Sequence, residues 1–195
     1  MSPLPYPETE KFEVETRSAE ETKRLAVALT PVLVPGDMLV LAGDLGAGKT
    51  VFVQGLAAGL GIPEPVTSPT FVLAREYCGG RYPLMHIDIF RLNRIQEIID
   101  LGYDEFLDPS GIVAIEWGDV VEPLLPREHL HVELYYSGGQ SDVRAITFRP
   151  RGPHWAERLQ TIKVLVANLF YSSRDSEMFA HEYRPDRDPN PGGRN

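Results

Sequence analysis

The sequence predicts an α/β fold in which a central, largely parallel β-sheet is flanked by helices, with a β-hairpin towards the C-terminal end of the body. Three observations predict it. Met38-Leu39-Val40-Leu41-Ala42 and Ile112 to Trp117 are short, continuously apolar runs, the pattern of strands buried on both faces of a parallel sheet. The first run leads through a glycine-rich segment straight into a helical pattern. Leu130 to Tyr136 and Val143 to Phe148 are strand-like segments on either side of the polar turn Ser137-Gly138-Gly139-Gln140, which reads as a hairpin.

Taken in order, residues 1–12 read as a flexible arm, the first ten or so rich in proline and acid. Ser18-Ala19-Glu20-Glu21-Thr22 is a helix start: Ser18 can cap the first turn and Glu21, three residues on, can complete a capping box. Leu25, Leu29 and the alanines between them supply that helix with an apolar face. Pro35-Gly36-Asp37 is a turn before the first buried strand. After Thr50 the run VFVQGLAAGLG has helical spacing at Phe52, Leu56 and Leu60, and Gly61 followed by Pro63 ends it. Beyond a Pro-rich loop, Thr70 to Tyr77 and Leu84 to Phe90 read as strands, and Ile95, Ile98 and Ile99 begin another amphipathic helix. Trp155, Leu159, Ile162, Val166 and Leu169 alternate spacings of four and three, so 151–171 reads as an additional helix packed on its own domain, with a partner-binding helix as the lesser reading. From Ser172 to residue 195 the chain is polar, mixed in charge and rich in Pro and Gly, a composition that predicts disorder.

A chain of 195 residues can bury one core, and 13–150 reads as a single domain. The apolar and charged fractions, 43% and 24%, are those of an ordinary globular protein. With 19 Lys+Arg against 28 Asp+Glu the net charge is −9, which disfavours direct, tight binding to nucleic acid. Cys78 is the only cysteine, so an intramolecular disulfide and a Cys-rich zinc site are ruled out; Cys78 itself reads as a small half-buried apolar residue. No stretch of about 18 uncharged apolar residues is present and the start, MSPLPYPETEKFEV, lacks a basic segment followed by an apolar run, so the expected location is the cytoplasm, away from membranes.

Gly43-Asp44-Leu45-Gly46-Ala47-Gly48-Lys49-Thr50 fits G-x-x-x-x-G-K-[ST] between an apolar strand and a helix, the setting of a P-loop. The glycines let successive backbone N–H groups of Gly46, Ala47, Gly48, Lys49, Thr50 and Val51 converge on phosphate, and the helix N-terminus adds its positive end. Lys49 can then reach the β/γ-phosphates of ATP or ADP, and Thr50 can offer its hydroxyl to Mg²⁺. No guanine-specifying N-K-x-D is present. Two acids stand at strand ends. Asp88, in MHIDIF, can hold Mg²⁺ directly or through water; Glu116, closing GIVAIE, can ligate the metal, orient the attacking water, or both. Either can instead be a solvated strand end or a helix cap. Ser68-Pro69-Thr70 follows the P-loop helix by one loop, as ordinary turn chemistry or as a segment that senses the γ-phosphate.

In this order, GDLGAGKT, VTSPTFVLAREY, HIDIFRL, LGYDEFLD and IEWGD resemble the bacterial TsaE (YjeE) family, over roughly Ser18 to Tyr136. The resemblance implies a P-loop ATPase, the component of the machinery that makes N6-threonylcarbamoyladenosine (t6A) in certain tRNAs. It implies that Thr50, Asp88 and Glu116 organise Mg²⁺ and water, that Lys49 serves catalysis with them, and that Trp117, Ser68 and Thr70 belong to the active site. It also implies two protein partners, one of which transfers the threonylcarbamoyl group, with tRNA met only through them and weak basal hydrolysis that the partners modulate. Two departures stand out: Val51 occupies a place where the family usually has a second hydroxyl, and the helix after Trp155 extends past the usual family end.

Two other classes share these motifs. A P-loop small-molecule kinase needs an acceptor pocket and an arginine-bearing lid, but downstream of Glu116 the candidates Arg144, Arg149 and Arg151 read as hairpin positions. A nucleotide-gated binding module with little turnover would use the same Asp88 and Glu116 to hold Mg²⁺ without aligning water.

Overall fold

In the computed structural model, residues 10–92, 109–138 and 142–182 are described, with side chains up to Phe170. Among these residues seven strands form one sheet in the order β1-β7-β6-β2-β5-β4-β3. They are β1 (Phe12–Thr16), β2 (Met38–Gly43), β3 (Ala74–Tyr77), β4 (Leu84–Asp88), β5 (Ile112–Glu116), β6 (His129–Tyr136) and β7 (Arg144–Arg151). The central strands β6, β2, β5 and β4 run parallel, and β1, β7 and β3 add antiparallel edges. The expected α/β architecture with its C-terminal hairpin is therefore present. All five residues of β5 and the first five of β2 are buried, as strands covered on both faces must be.

One face of the sheet carries the larger core. Helix α1 (Ala19–Leu29) buries Leu25, Ala26 and Leu29 there, and helix α2 (Lys49–Leu60) buries Phe52, Val53, Leu56 and Leu60. Ser18 caps α1 by accepting from the Glu21 amide at 3.1 Å, while the Glu21 carboxylate reaches one residue further back than a standard capping box, to the Arg17 N–H at 2.7 Å. Helix α3 (Pro153–Glu182) lies on the same core, and Trp155, Leu159, Ile162 and Val166 are each 2% exposed or less. The apolar stripe of α3 therefore packs on its own domain. The opposite face has a smaller core of Met38, Val40, Ile87, Val113, Ile115 and Val121, the last from a 3-10 segment over Gly118–Leu124.

Several expectations need correction. Phe12 pairs with Phe148 and β1 runs from it, so the arm ends before residue 12; the alternation of Phe12 and Val14 with Glu13 and Glu15 is the two-residue period of an edge strand. Thr70–Leu73 is a turn, not the start of a strand: the Val72 and Leu73 amides both donate to the Pro69 carbonyl, Leu73 has φ 70°, and pairing begins only at Ala74. Helix α3 runs past residue 171 to Glu182, because the Pro and Gly residues that break helices begin only at Pro185. Cys78 is exposed, not half-buried. The helix expected from Ile95 and the segment LGYDEFLD lie outside the described residues. No described helix is long and apolar enough to cross a membrane.

Candidate functional site

The glycine-rich loop joins β2 to α2, and its position follows from backbone sterics. Gly43 closes β2 with φ 123° against its register partner Leu134, where a Cβ would strike the Leu134 carbonyl. Only glycine permits that approach. The loop then opens at the carboxyl ends of β2, β5 and β4, the edge at which open α/β sheets place ligands. There Glu116 lies in register with Leu41 of β2 on one side and Asp88 of β4 on the other.

Between these ends lies a cleft of about 260 Å³ lined by Gly46, Gly48, Lys49, Thr50, Val51, Ser68, Thr70, Asp88, Glu116 and Trp117, with Leu45 and Phe90 at its sides. Every residue given a phosphate, metal or catalytic role from the sequence lines it except Ala47, whose side chain is buried in the larger core. The Ala47 backbone is engaged within the loop, its N–H donating to the Asp44 carbonyl at 3.1 Å.

Lys49 is 4% exposed. Its ammonium donates to the Gly43 and Asp44 carbonyls, each at 2.8 Å, and lies 3.5 Å from the centroid of the Trp117 ring. Burial lowers its pKa, against the pull of Glu116, Asp119, Asp88 and Asp44. Two of its three N–H donors serve the loop, so the cation braces the loop and keeps one N–H for the Trp117 ring or for another acceptor. Trp117 holds its ring there through a left-handed backbone (φ 63°), an N–H to the Leu41 carbonyl at 2.8 Å, and a ring contact with Phe90 at 4.9 Å.

Glu116 is 3% exposed, and its Oε1 accepts from the Thr50 hydroxyl at 2.7 Å. The same oxygen lies 2.8 Å from Nε2 of His86, which is fully buried. Asp88 is the anchor of the turn after Pro69: its Oδ2 accepts from Ser68 Oγ at 2.6 Å and from Thr70 Oγ1, and its Oδ1 accepts from the Phe90 amide at 3.1 Å. Hydroxyl and carboxylate oxygens from Thr50, Glu116 and Asp88 form a donor set that suits a hard divalent cation. Among the described residues no group of three or more His, Cys, Asp or Glu side chains could hold a metal unaided. A cation here would have to complete its shell from water and from the oxygens of a ligand, as Mg²⁺ habitually does.

A family model described as "Threonylcarbamoyl adenosine biosynthesis protein TsaE" matches residues 16–146. The chain belongs to the TsaE family. The tRNA threonylcarbamoyladenosine biosynthesis protein TsaE of Bacillus subtilis is 44% identical to it over 137 residues, 70% of this chain and 84% of that protein. The protein of the same name from Nostoc is 43% identical over 132 residues, 66% of this chain and 80% of its own length. A crystal structure of Bacillus subtilis YdiB superposes with a TM-score of 0.64 at 35% identity, covering 84% of this chain and 97% of that one. Helix α3 begins at Pro153, after the TsaE match ends.

Three side chains in this TsaE site escaped sequence reasoning. His86 was visible in principle, because it stands two residues before Asp88 on one strand and so shares its face. Tyr136 and Arg144 come from the β6–β7 hairpin. Arg144, Arg149 and Arg151 do all lie in β7, but Arg144 reaches the loop, its Nε donating to the Ala47 carbonyl at 3.0 Å. No local spacing signals a contact across 97 residues.

Proposed function

We propose that this TsaE chain binds ATP with Mg²⁺ in the cleft and hydrolyses it as the ATPase subunit of t6A formation in tRNA. In this reading it acts with two partner proteins, in the cytoplasm, and meets tRNA only through them. The observation that carries the reading is the Thr50–Glu116 hydrogen bond beneath the glycine-rich loop, which sets a hydroxyl and a buried carboxylate beside a buried lysine where a phosphate chain would end.

In that reading the loop amides of Gly46, Gly48, Lys49, Thr50 and Val51 bind the phosphates, the side chain of Val51 adding nothing polar, and the Ala47 amide would join them only by leaving the Asp44 carbonyl. Lys49 supplies positive charge to the β/γ-phosphates through its remaining N–H. Thr50, Glu116 and Asp88 would hold the cation, and Asp88 also carries Ser68 and Thr70 to the γ-phosphate side. Mg²⁺, when bound, neutralises phosphate oxygens and fixes their orientation. Glu116 accepts a hydrogen bond from a water, which attacks the γ-phosphorus; the bond to the β–γ bridging oxygen breaks, and ADP and inorganic phosphate leave. Trp117 keeps the Lys49 ammonium in place under its ring.

Titration of the protein with ATP and MgCl₂, followed by calorimetry, tests the binding step. Wild type should bind and Lys49→Ala should bind at least tenfold more weakly. Absence of binding by wild type would refute the reading.

A further inference from the structure

The β6–β7 hairpin meets the phosphate loop at two atoms. Side chains alternate along a strand, so Tyr136 continues the series Leu130, Val132, Leu134 on β6, and Arg144 continues Phe148, Ile146 on β7; both therefore emerge on the face that carries α2 and the loop. They are register partners. The Tyr136 hydroxyl donates to the Leu45 carbonyl at 3.4 Å, the Arg144 Nε donates to the Ala47 carbonyl at 3.0 Å, and the guanidinium lies 4.2 Å from the Tyr136 ring centroid. A Cβ at Gly46 would come within 2.8 Å of the Tyr136 hydroxyl and would push it aside, and the φ of 77° there favours glycine in its own right.

A peptide unit is planar, so a donor on its carbonyl fixes where the N–H at its other end points. The Leu45 carbonyl shares its plane with the Gly46 N–H, and the Ala47 carbonyl with the Gly48 N–H; Gly46 and Gly48 are the loop glycines lining the cleft. The geometry points to Tyr136 and Arg144 as positioning residues for nucleotide binding: they clasp the carbonyl ends of two loop peptides and so aim the Gly46 and Gly48 amides at a phosphate. The cation of Arg144 on the carbonyl side also polarises its peptide, which makes the Gly48 N–H a stronger donor. This inference rests on the ATP-binding reading above.

The test measures ADP affinity by calorimetry, together with the melting temperature of the unliganded protein, for wild type, Arg144→Gln, Arg144→Lys, Tyr136→Phe and the double variant Tyr136→Phe/Arg144→Gln. Arg144→Gln should weaken ADP about tenfold with an unchanged melting temperature, Arg144→Lys should recover part of the loss, and Tyr136→Phe should weaken ADP two- to threefold. The double variant should lose less than the product of the two single losses, because the side chains share one loop. Unchanged affinity in Arg144→Gln would overturn the clasp, and so would a loss of affinity that tracks a fallen melting temperature in all variants. Failure of wild type itself to bind ADP would instead refute the underlying nucleotide-binding reading.

Discussion

Glu116 Oε1 faces two partners, the Thr50 hydroxyl and the His86 imidazole, and each constrains the carboxylate differently. Thr50 stands on the cleft side, whereas His86 lies beneath, fully buried, and acts only through Glu116. Replacing His86 with leucine removes one donor while filling the space, so the carboxylate gains freedom to turn from the cleft. We expect His86→Leu to lower the ATP turnover rate about tenfold, which corresponds to about 1.4 kcal/mol, with nucleotide affinity changed less than twofold. His86→Gln, whose amide N–H reaches a similar place, should recover much of that rate. Equal turnover in His86→Leu and wild type would remove the positioning role. The residue types at the site were legible because a P-loop requires them in one continuous stretch and because Asp88 and Glu116 end apolar runs. Their partners were not legible: the two hydroxyls on Asp88 come from a segment whose neighbours Phe71 and Val72 favour strands, yet here those side chains are 85% and 68% exposed on a turn.

At the scale of elements, α3 is held by its apolar stripe and by ion pairs, of which Arg158–Asp37 is the buried one and Lys163–Glu10 an exposed one. Arg158 donates to both carboxylate oxygens of Asp37, at 2.6 and 2.9 Å, and lies 4.1 Å from the Trp155 ring centroid. Asp37 is 6% exposed, so removing its partner strands a buried charge. Arg158→Ala should destabilise the protein by about 2 kcal/mol and Trp155→Ala by about 3 to 5 kcal/mol, read by urea denaturation. Because α3 packs on α1 and β7 and lines no part of the cleft, ATP affinity should stay within twofold in both variants. A variant that loses affinity while keeping its stability would contradict this separation. The stripe of α3 was readable from its spacing, as were β2, β5 and the hairpin from their apolar runs. The short edge strand β1 was not, since its acid-rich sequence resembles the arm before it and only pairing with β7 makes it a strand.

The molecule as a whole carries buried imidazoles that set its response to acid. His129 is fully buried, bonded through Nδ1 to the Pro126 carbonyl at 2.7 Å, and burial pushes its pKa down to about 4; burial lowers that of His131 as well. The folded state thus keeps His129 neutral where the unfolded chain, with a pKa of about 6.5, takes up a proton. Between those values the unfolded state binds more protons, so stability is complete above about pH 6.5 and declines as pH falls towards 4. At pH 5 the loss from His129 is about 2 kcal/mol, and the melting temperature should drop by about 4 to 8 °C between pH 7 and pH 5. His129→Asn, which keeps a donor for Pro126, should shrink that drop; a drop as large as that of wild type would contradict the assignment. The parallel centre of the sheet was legible in the sequence because burial on both faces leaves an uninterrupted apolar run. The way the hairpin folds over the loop was not, because it depends on register between distant segments.

Whether Glu116 is aligned for ATP hydrolysis is read from single-turnover hydrolysis of ATP with Mg²⁺, run on wild type and Glu116→Gln, alone and with the partner proteins. We expect slow hydrolysis by the isolated wild type, a different rate with partners, and a rate at least a hundredfold lower for Glu116→Gln at saturating ATP. Equal rates for wild type and Glu116→Gln, with ATP bound to both, would contradict that alignment.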